Sequence, residues 1–211
     1  MNTQIKRGKF VTFEGCEGSG KSTQVRLLSE KLTSLGVNFI VTREPGGSGI
    51  AEQIRTIILD GKNTAMCDEC EALLYAASRI QHLKEKIEPA LSEGKLVICD
   101  RFVDSSFAYQ GYARGLGEEY IAQINSVALK DYSPDLTVFL NISPEDAFVR
   151  KHGADEGDRM EQQGIDFHKK VYKGYTELLG IYPRISPVEC SGDMYETADV
   201  IFNLLKDKGI I

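Results

Sequence analysis

The chain has no excess of basic charge, no long apolar run and no second half to its one Cys-x-x-Cys pair, and each absence narrows what it can do. Its 25 Lys and Arg stand against 31 Asp and Glu, a formal charge of −6. That balance offers no electrostatic footprint for wrapping nucleic acid, so any nucleotide it meets is expected to be a small molecule. No stretch approaches the roughly 20 apolar residues that span a bilayer, and Met1 to Lys9 is polar, without the core of a signal peptide. The expectation is a cytoplasmic protein with no membrane contact.

The five cysteines are an odd number, scattered along the chain, and argue for reduced thiols. Cys67 and Cys70 lack a partner pair and a nearby His at ligand spacing. Their neighbours Asp68, Glu69 and Glu71 would raise a thiol pKa, so a solvated helix start is expected there rather than a metal or redox site. No internal repeat or low-complexity linker divides the 211 residues, which suit one well-buried domain over 1–211.

What is present starts at Phe10-Val11-Thr12-Phe13, a short apolar run followed by Gly15-Cys16-Glu17-Gly18-Ser19-Gly20-Lys21-Ser22. This is a GxxxxGK[ST] pattern with a strand before it and a helix after it. A loop that wraps a polyphosphate turns successive backbone N–H groups inward, through dihedrals that a Cβ resists, hence Gly15, Gly18 and Gly20. Lys21 is then placed to reach the β and γ phosphates, the Ser22 hydroxyl to ligate Mg²⁺, and the helix N-terminus to favour the same anion. A thiol at Cys16, inside this loop, carries the expectation of oxidation-sensitive activity.

The rest alternates between strand and helix patterns. Val25, Leu27, Leu28, Lys31, Leu32 and Leu35 keep helical spacing up to Gly36, and Val37 to Thr42 reads as a strand delivering Arg43-Glu44-Pro45-Gly46-Gly47. Ile50, Ile54, Ile57 and Ile58 mark one face of the next helix. Asp68 to Glu93 reads as a long helix with its apolar face through Leu73, Leu74, Ala77, Ile80 and Leu83, and with Pro89 kinking its last turns. Leu96 to Cys99 is an apolar strand ending in Asp100-Arg101. Leu136 to Ile142 is another, and Ser143-Pro144-Glu145 caps a helix. Lys151 to Arg159 can bury almost nothing and is expected to be a mobile flap. A helix over Phe167 to Leu179, a strand near Arg184 to Cys190 and a helix from Met194 to Lys206 follow. The pattern implies an α/β fold with a parallel sheet covered on both faces and ligands at the C-terminal strand edges.

Two further constellations belong to that edge. Asp100 ends an apolar strand, where a carboxylate supports Mg²⁺ directly or through water; a helix N-cap is the alternative. Arg43, Arg55, Arg79 and Arg101 lie at ends or faces that converge on it, which in a net acidic protein suggests a second anion beside ATP. Phosphoryl transfer between two nucleotides follows from that pair of sites.

Phe13 to Thr23, Thr42-Arg43-Glu44-Pro45-Gly46-Gly47, Tyr75-Ala76-Ala77-Ser78-Arg79, Asp100-Arg101 with Ser105-Ser106-Phe107-Ala108-Tyr109-Gln110, and Asp158-Arg159-Met160-Glu161 occur in this order along the whole chain. In them the chain resembles the bacterial dTMP kinase family. The resemblance implies a three-layer P-loop NTPase fold of about five parallel strands with a short lid. The phosphate loop would be 15–22, the acceptor region about 43–80 and the lid about 150–161. It implies ATP bound by Gly15, Cys16, Glu17, Gly18, Ser19, Gly20, Lys21, Ser22 and Thr23, with Mg²⁺ on Ser22 and Asp100. It places dTMP on Glu17, Arg43, Glu44, Arg55, Tyr75, Arg79, Arg101, Ser105, Ser106, Tyr109 and Gln110. In that reading Tyr75 stacks on thymine with Arg79 at its O4 edge, Ser106 and Gln110 bond the pyrimidine, and Tyr109 crowds out a ribose hydroxyl.

Catalysis would rest on Lys21, Glu17 and Arg101, with lid arginines neutralising the transferring phosphoryl group. Here the chain departs from the family pattern: its loop carries no arginine at 16–19, and its flap has arginine only at its ends, Arg150 and Arg159, with Lys151 as a substitute. The expected product is dTDP, on the way to dTTP, and the family habit is a homodimer. Alternatives are a kinase for another nucleoside monophosphate, a P-loop switch that signals without catalysis, or a nucleic-acid end-processing kinase; the last is disfavoured by charge.

Overall fold

The computed structural model describes residues 6–150, 158–190 and 192–211; the expectations for Lys151 and the flap interior fall outside them. Five parallel strands form one sheet in the order β2-β3-β1-β4-β5: β1 Phe10–Glu14, β2 Phe39–Arg43, β3 Leu96–Asp100, β4 Leu136–Asn141 and β5 Ile185–Glu189. Alternate residues enter separate cores on the two faces, Phe10, Val97 and Phe139 on one and Val11, Phe13, Ile98 and Val138 on the other. Burial on both faces is why the inner strands β1, β3 and β4 read as apolar runs.

Helices α1 Lys21–Ser34 and α10 Met194–Asp207 cover the second face through Leu28, Leu32, Ile201 and Leu205. The first face is covered by α3 Asp68–His82, α4 Glu88–Ser92, α6 Glu118–Ile124, α7 Ser126–Asp131 and α9 Gly164–Ile181. Helix α2 Gly49–Leu59 packs on α3, the short α5 Val103–Ser106 follows β3, and α8 Pro144–Arg150 follows β4. Gly36, at φ +69°, ends α1 in the left-handed conformation the sequence anticipates. In register Phe13 stands opposite Asp100 on one side, and Arg43 opposite Asp100 on the other. The chain crosses from β3 to the far side of β1 to make β4, so the loop after β1 opens at the point where strand order reverses.

Three expectations need correction. Asp68 to Glu93 is not one α-helix: a π-helical segment, Leu83–Ile87, joins α3 to α4, and Pro89 stands in the first turn of α4. Of the apolar face expected there, Leu83 is buried and Ile80 packs on the core. Leu73 and Ala77 are exposed, whereas Glu71, Ala72, Ala76, Ser78, Arg79 and His82 are buried, because partners on other elements satisfy the charges. On α2, Ile58 is buried but Ile50 and Ile57 are exposed.

Candidate functional site

The phosphate loop is a backbone device. Gly18 and Gly20 adopt φ of +77° and +93°, and a Cβ on Gly18 would meet the Ala147 carbonyl oxygen at 2.4 Å. Helix α1 starts at Gly20 with no side-chain cap and no acidic residue in its first turn, so its leading N–H groups remain open to an anion. Lys21 is folded onto the loop, its Nζ donating to the carbonyls of Gly15 at 3.1 Å and Cys16 at 3.0 Å. Burial, with Arg101 adding its charge, pushes the Lys21 ammonium down to about 8. Ser22 Oγ donates to Asp100 Oδ2 at 3.3 Å, which sets a hydroxyl beside a carboxylate at the mouth of the loop. These hard oxygen donors fit Mg²⁺. Among the described residues no three His, Cys, Asp or Glu side chains gather in a metal site, so the other ligands would be phosphate oxygens and water. Cys16 itself is buried, and burial pushes its thiol up to about 11, which removes the basis for a reactive thiolate there. Cys67 and Cys70 are exposed free thiols at the start of α3.

The loop cleft is lined by Glu17, Lys21, Ser22, Thr23, Asp100 and Arg150, and also by Arg43, Glu44, Arg55 and Arg101. A second pocket adjoins it, lined by Tyr75, Arg79, Tyr109, Gln110, Ser105 and His168. Glu17, Glu44, Arg55 and Arg101 line both. Two openings therefore meet across two carboxylates and two guanidinium groups.

Arg101 has φ +67°, the one described non-glycine residue in the left-handed region, which turns its side chain back to the loop. Its guanidinium bonds the Gly15 carbonyl at 3.2 Å and Glu17 Oε2 at 3.3 Å and lies 5.3 Å over the Tyr109 ring. Buried Glu14 holds the backbone beyond it, accepting from the N–H groups of Phe102 and Ser105 and from the hydroxyls of Ser105 and Tyr175. Burial, with the nearby Asp104 charge, pushes the Glu14 carboxyl up to about 7. Arg43 is paired bidentately with Glu52 of α2. Arg55 donates to the Pro45 carbonyl, has no carboxylate within ion-pair distance among the described residues, and is lowered by burial and then by Arg43. Two crowded cations at one border suit an anion between them.

Arg79 is the deepest cation. Its Nε donates to Glu44 Oε2 at 2.8 Å, and its terminal nitrogens to Ser106 Oγ at 3.0 Å, Asn125 Oδ1 at 2.6 Å and the Phe102 carbonyl at 3.1 Å. Four of its five N–H groups are thus engaged. Glu44 Oε1 is held in turn by His82, whose other ring nitrogen bonds Thr42. Ser106 Oγ accepts from Arg79, and Ser105 lines the pocket. Tyr75 is half-buried on the pocket wall, one turn from Arg79.

The two arginines expected at the lid part company. Arg150 lines the loop cleft and donates to the Cys190 carbonyl. Arg159 is buried away from that cleft, donating to the Ile58 carbonyl at 2.8 Å and to Glu71 at 2.6 Å. Sequence reasoning missed Glu71, His82, Tyr175 and His168. For Glu71 a signal existed: 71, 75 and 79 fall at steps of four on one helical face.

A family model for thymidylate kinase matches residues 13–186. A Clostridium novyi protein described as thymidylate kinase is 47% identical over 205 residues, covering 96% of this chain and all of its own length. A Bacillus pumilus thymidylate kinase is 46% identical over 203 residues, covering 95% and 96%. The crystal structure of thymidylate kinase from Ehrlichia chaffeensis superposes with a TM-score of 0.76 at 31% identity, covering 95% of this chain and 99% of the other.

Proposed function

The chain belongs to the thymidylate kinase family and phosphorylates dTMP to dTDP with ATP, and from that premise we propose how its residues divide the work. The observation that carries the reading is the shared border: Glu17, Glu44, Arg55 and Arg101 line both the loop cleft and the Tyr75 pocket. ATP occupies the cleft, its phosphates on the loop N–H groups and Lys21. The thymine of dTMP lies in the pocket against Tyr75, and its phosphate points to the border. Arg55 and Arg101, with Arg43 released from Glu52, hold that phosphate in line with the donor, because phosphoryl transfer asks mainly for alignment and charge neutralisation. Glu17, bonded to Arg101, ties the loop to the acceptor. Tyr109, with Arg101 over its ring, closes the sugar side. Arg150, rather than Arg159, is the lid cation that lines the donor cleft. Ser22 and Asp100 would hold Mg²⁺, which when bound supplies charge neutralisation to the phosphates.

The exposed Ile50 and Ile57 of α2 and Leu73 of α3, on two helices packed together, support a homodimer through this face. No helix of the described residues is long and apolar enough to cross a membrane. Free cysteines throughout the described chain support a reducing, cytoplasmic setting. A coupled ADP-release assay on the purified protein is expected to show turnover with dTMP above that with dUMP, UMP or dGMP. Absence of dTMP-dependent turnover would refute the reading.

A further inference from the structure

The carboxylate of Glu71 is buried behind the acceptor pocket and has no part in the roles above. Gln110 Nε2 donates to its Oε1 at 2.8 Å, and Arg114 Nε approaches the same oxygen at 3.3 Å. Its Oε2 accepts from Arg114 at 3.0 Å and from Arg159 at 2.6 Å. Arginine can only donate, so both carboxylate oxygens act as acceptors, and the Gln110 amide must present its N–H end to them. This is the one side-chain bond that holds the Gln110 amide among the described residues. The carbonyl Oε1 is thereby turned to the opposite side of the amide, on a residue that lines the pocket. Arg79, with four N–H groups engaged, retains one donor on the same pocket.

We propose that Glu71 is a positioning residue that fixes the orientation of the Gln110 amide and so makes the pocket selective for a base with an imino N–H next to a carbonyl. Thymine has that pattern. Cytosine has the reverse, a bare ring nitrogen next to an amino group, and would meet acceptor with acceptor and donor with donor. A flipped Gln110 would suit cytosine, but would set its carbonyl oxygen against carboxylate oxygens that Arg114 and Arg159 hold in place. The proposal rests on the reading of this pocket as the site of the acceptor base.

The test measures kcat/KM for dTMP and for dCMP, with the KM for ATP, in wild type, Glu71→Gln, Gln110→Met and the double variant. Glu71→Gln can bond either end of the amide and is expected to lower the preference for dTMP over dCMP about tenfold, the scale of one buried hydrogen bond, with the KM for ATP unchanged. In the Gln110→Met background the same substitution is expected to shift the preference by less than about twofold, since Glu71 would have nothing left to orient. An unchanged preference in Glu71→Gln, or an equal fall in both backgrounds, overturns the proposal while the pocket stands. If Gln110→Met leaves dTMP use untouched, the pocket reading itself has failed. Should Glu71→Gln not fold, as judged by thermal unfolding, Glu71→Asp keeps the charge toward the arginines, withdraws the carboxylate from Gln110 and is read by the same outcomes.

Discussion

The donor cleft and the acceptor pocket share a border but are made of different material. The cleft is backbone: glycines at positive φ and an uncapped helix start, contiguous in the chain from Gly15 to Ser22. The pocket is built from buried side chains in ion pairs drawn from distant segments, with Glu44 on Arg79 and Glu71 on Arg114 and Arg159. The first arrangement leaves Lys21 desolvated until an anion arrives, and the second satisfies Arg79 and the arginines on Glu71 in advance. The cleft is thus poised to gain from binding a polyphosphate, and the pocket is poised to hold a shape.

The contrast predicts opposite costs for removing a cation. Lys21→Met is expected to lower kcat about a thousandfold, the upper range for losing one preorganised charge at the transferring group. It should not lower the melting temperature of the nucleotide-free protein. The Lys21 pKa falls from the ordinary 10.5 to about 8 on folding, so at neutral pH its protonated form opposes the fold, and the substitution removes that opposition. Arg79→Met is expected to destabilise the protein by about 3–5 kcal/mol in urea unfolding, because it leaves Glu44 as an uncompensated buried charge. Equal losses of stability in the two variants would abolish the distinction.

A smaller effect sharpens it. An anion on the loop favours the charged form of Lys21, so nucleotide binding takes up a proton once pH exceeds about 8. ATP affinity is expected to fall by up to about tenfold per pH unit above that value, measured by titration calorimetry between pH 7 and 10. A flat profile over that range would mean that Lys21 does not face the phosphates. The smallest effect belongs to Cys16. With its thiol buried and held near 11, peroxide inactivation is expected to be the same in wild type and Cys16→Ala.

The same contrast decides how much of the molecule is legible in its sequence. The loop is legible because its chemistry lies in residue types at fixed spacing on one continuous segment, and Asp100 because a strand end is marked by its apolar run. The sheet is legible for the same reason, apart from small shifts such as β2 starting at Phe39 rather than Val37. The face of α3 is not. Helical periodicity assumes that the buried stripe is apolar, and here Glu71 and Arg79 are buried because Arg159, Arg114, Glu44 and Asn125 reach them from far along the chain. Ser105 and Ser106 cannot be assigned to their sides without knowing that the second bonds Arg79. No local signal in the sequence ties Arg159 to Glu71 across 88 residues.

The central claim, that acceptor and donor occupy separate pockets meeting at one border, is tested most directly by the KM values for dTMP and ATP in Tyr75→Ala. Tyr75 lines only the acceptor side and is half-buried. Loss of base stacking worth about 1–3 kcal/mol is expected to raise the KM for dTMP by about 5- to 150-fold and leave that for ATP unchanged. A KM for ATP that rises in step with that for dTMP, or a KM for dTMP that does not move, would contradict it.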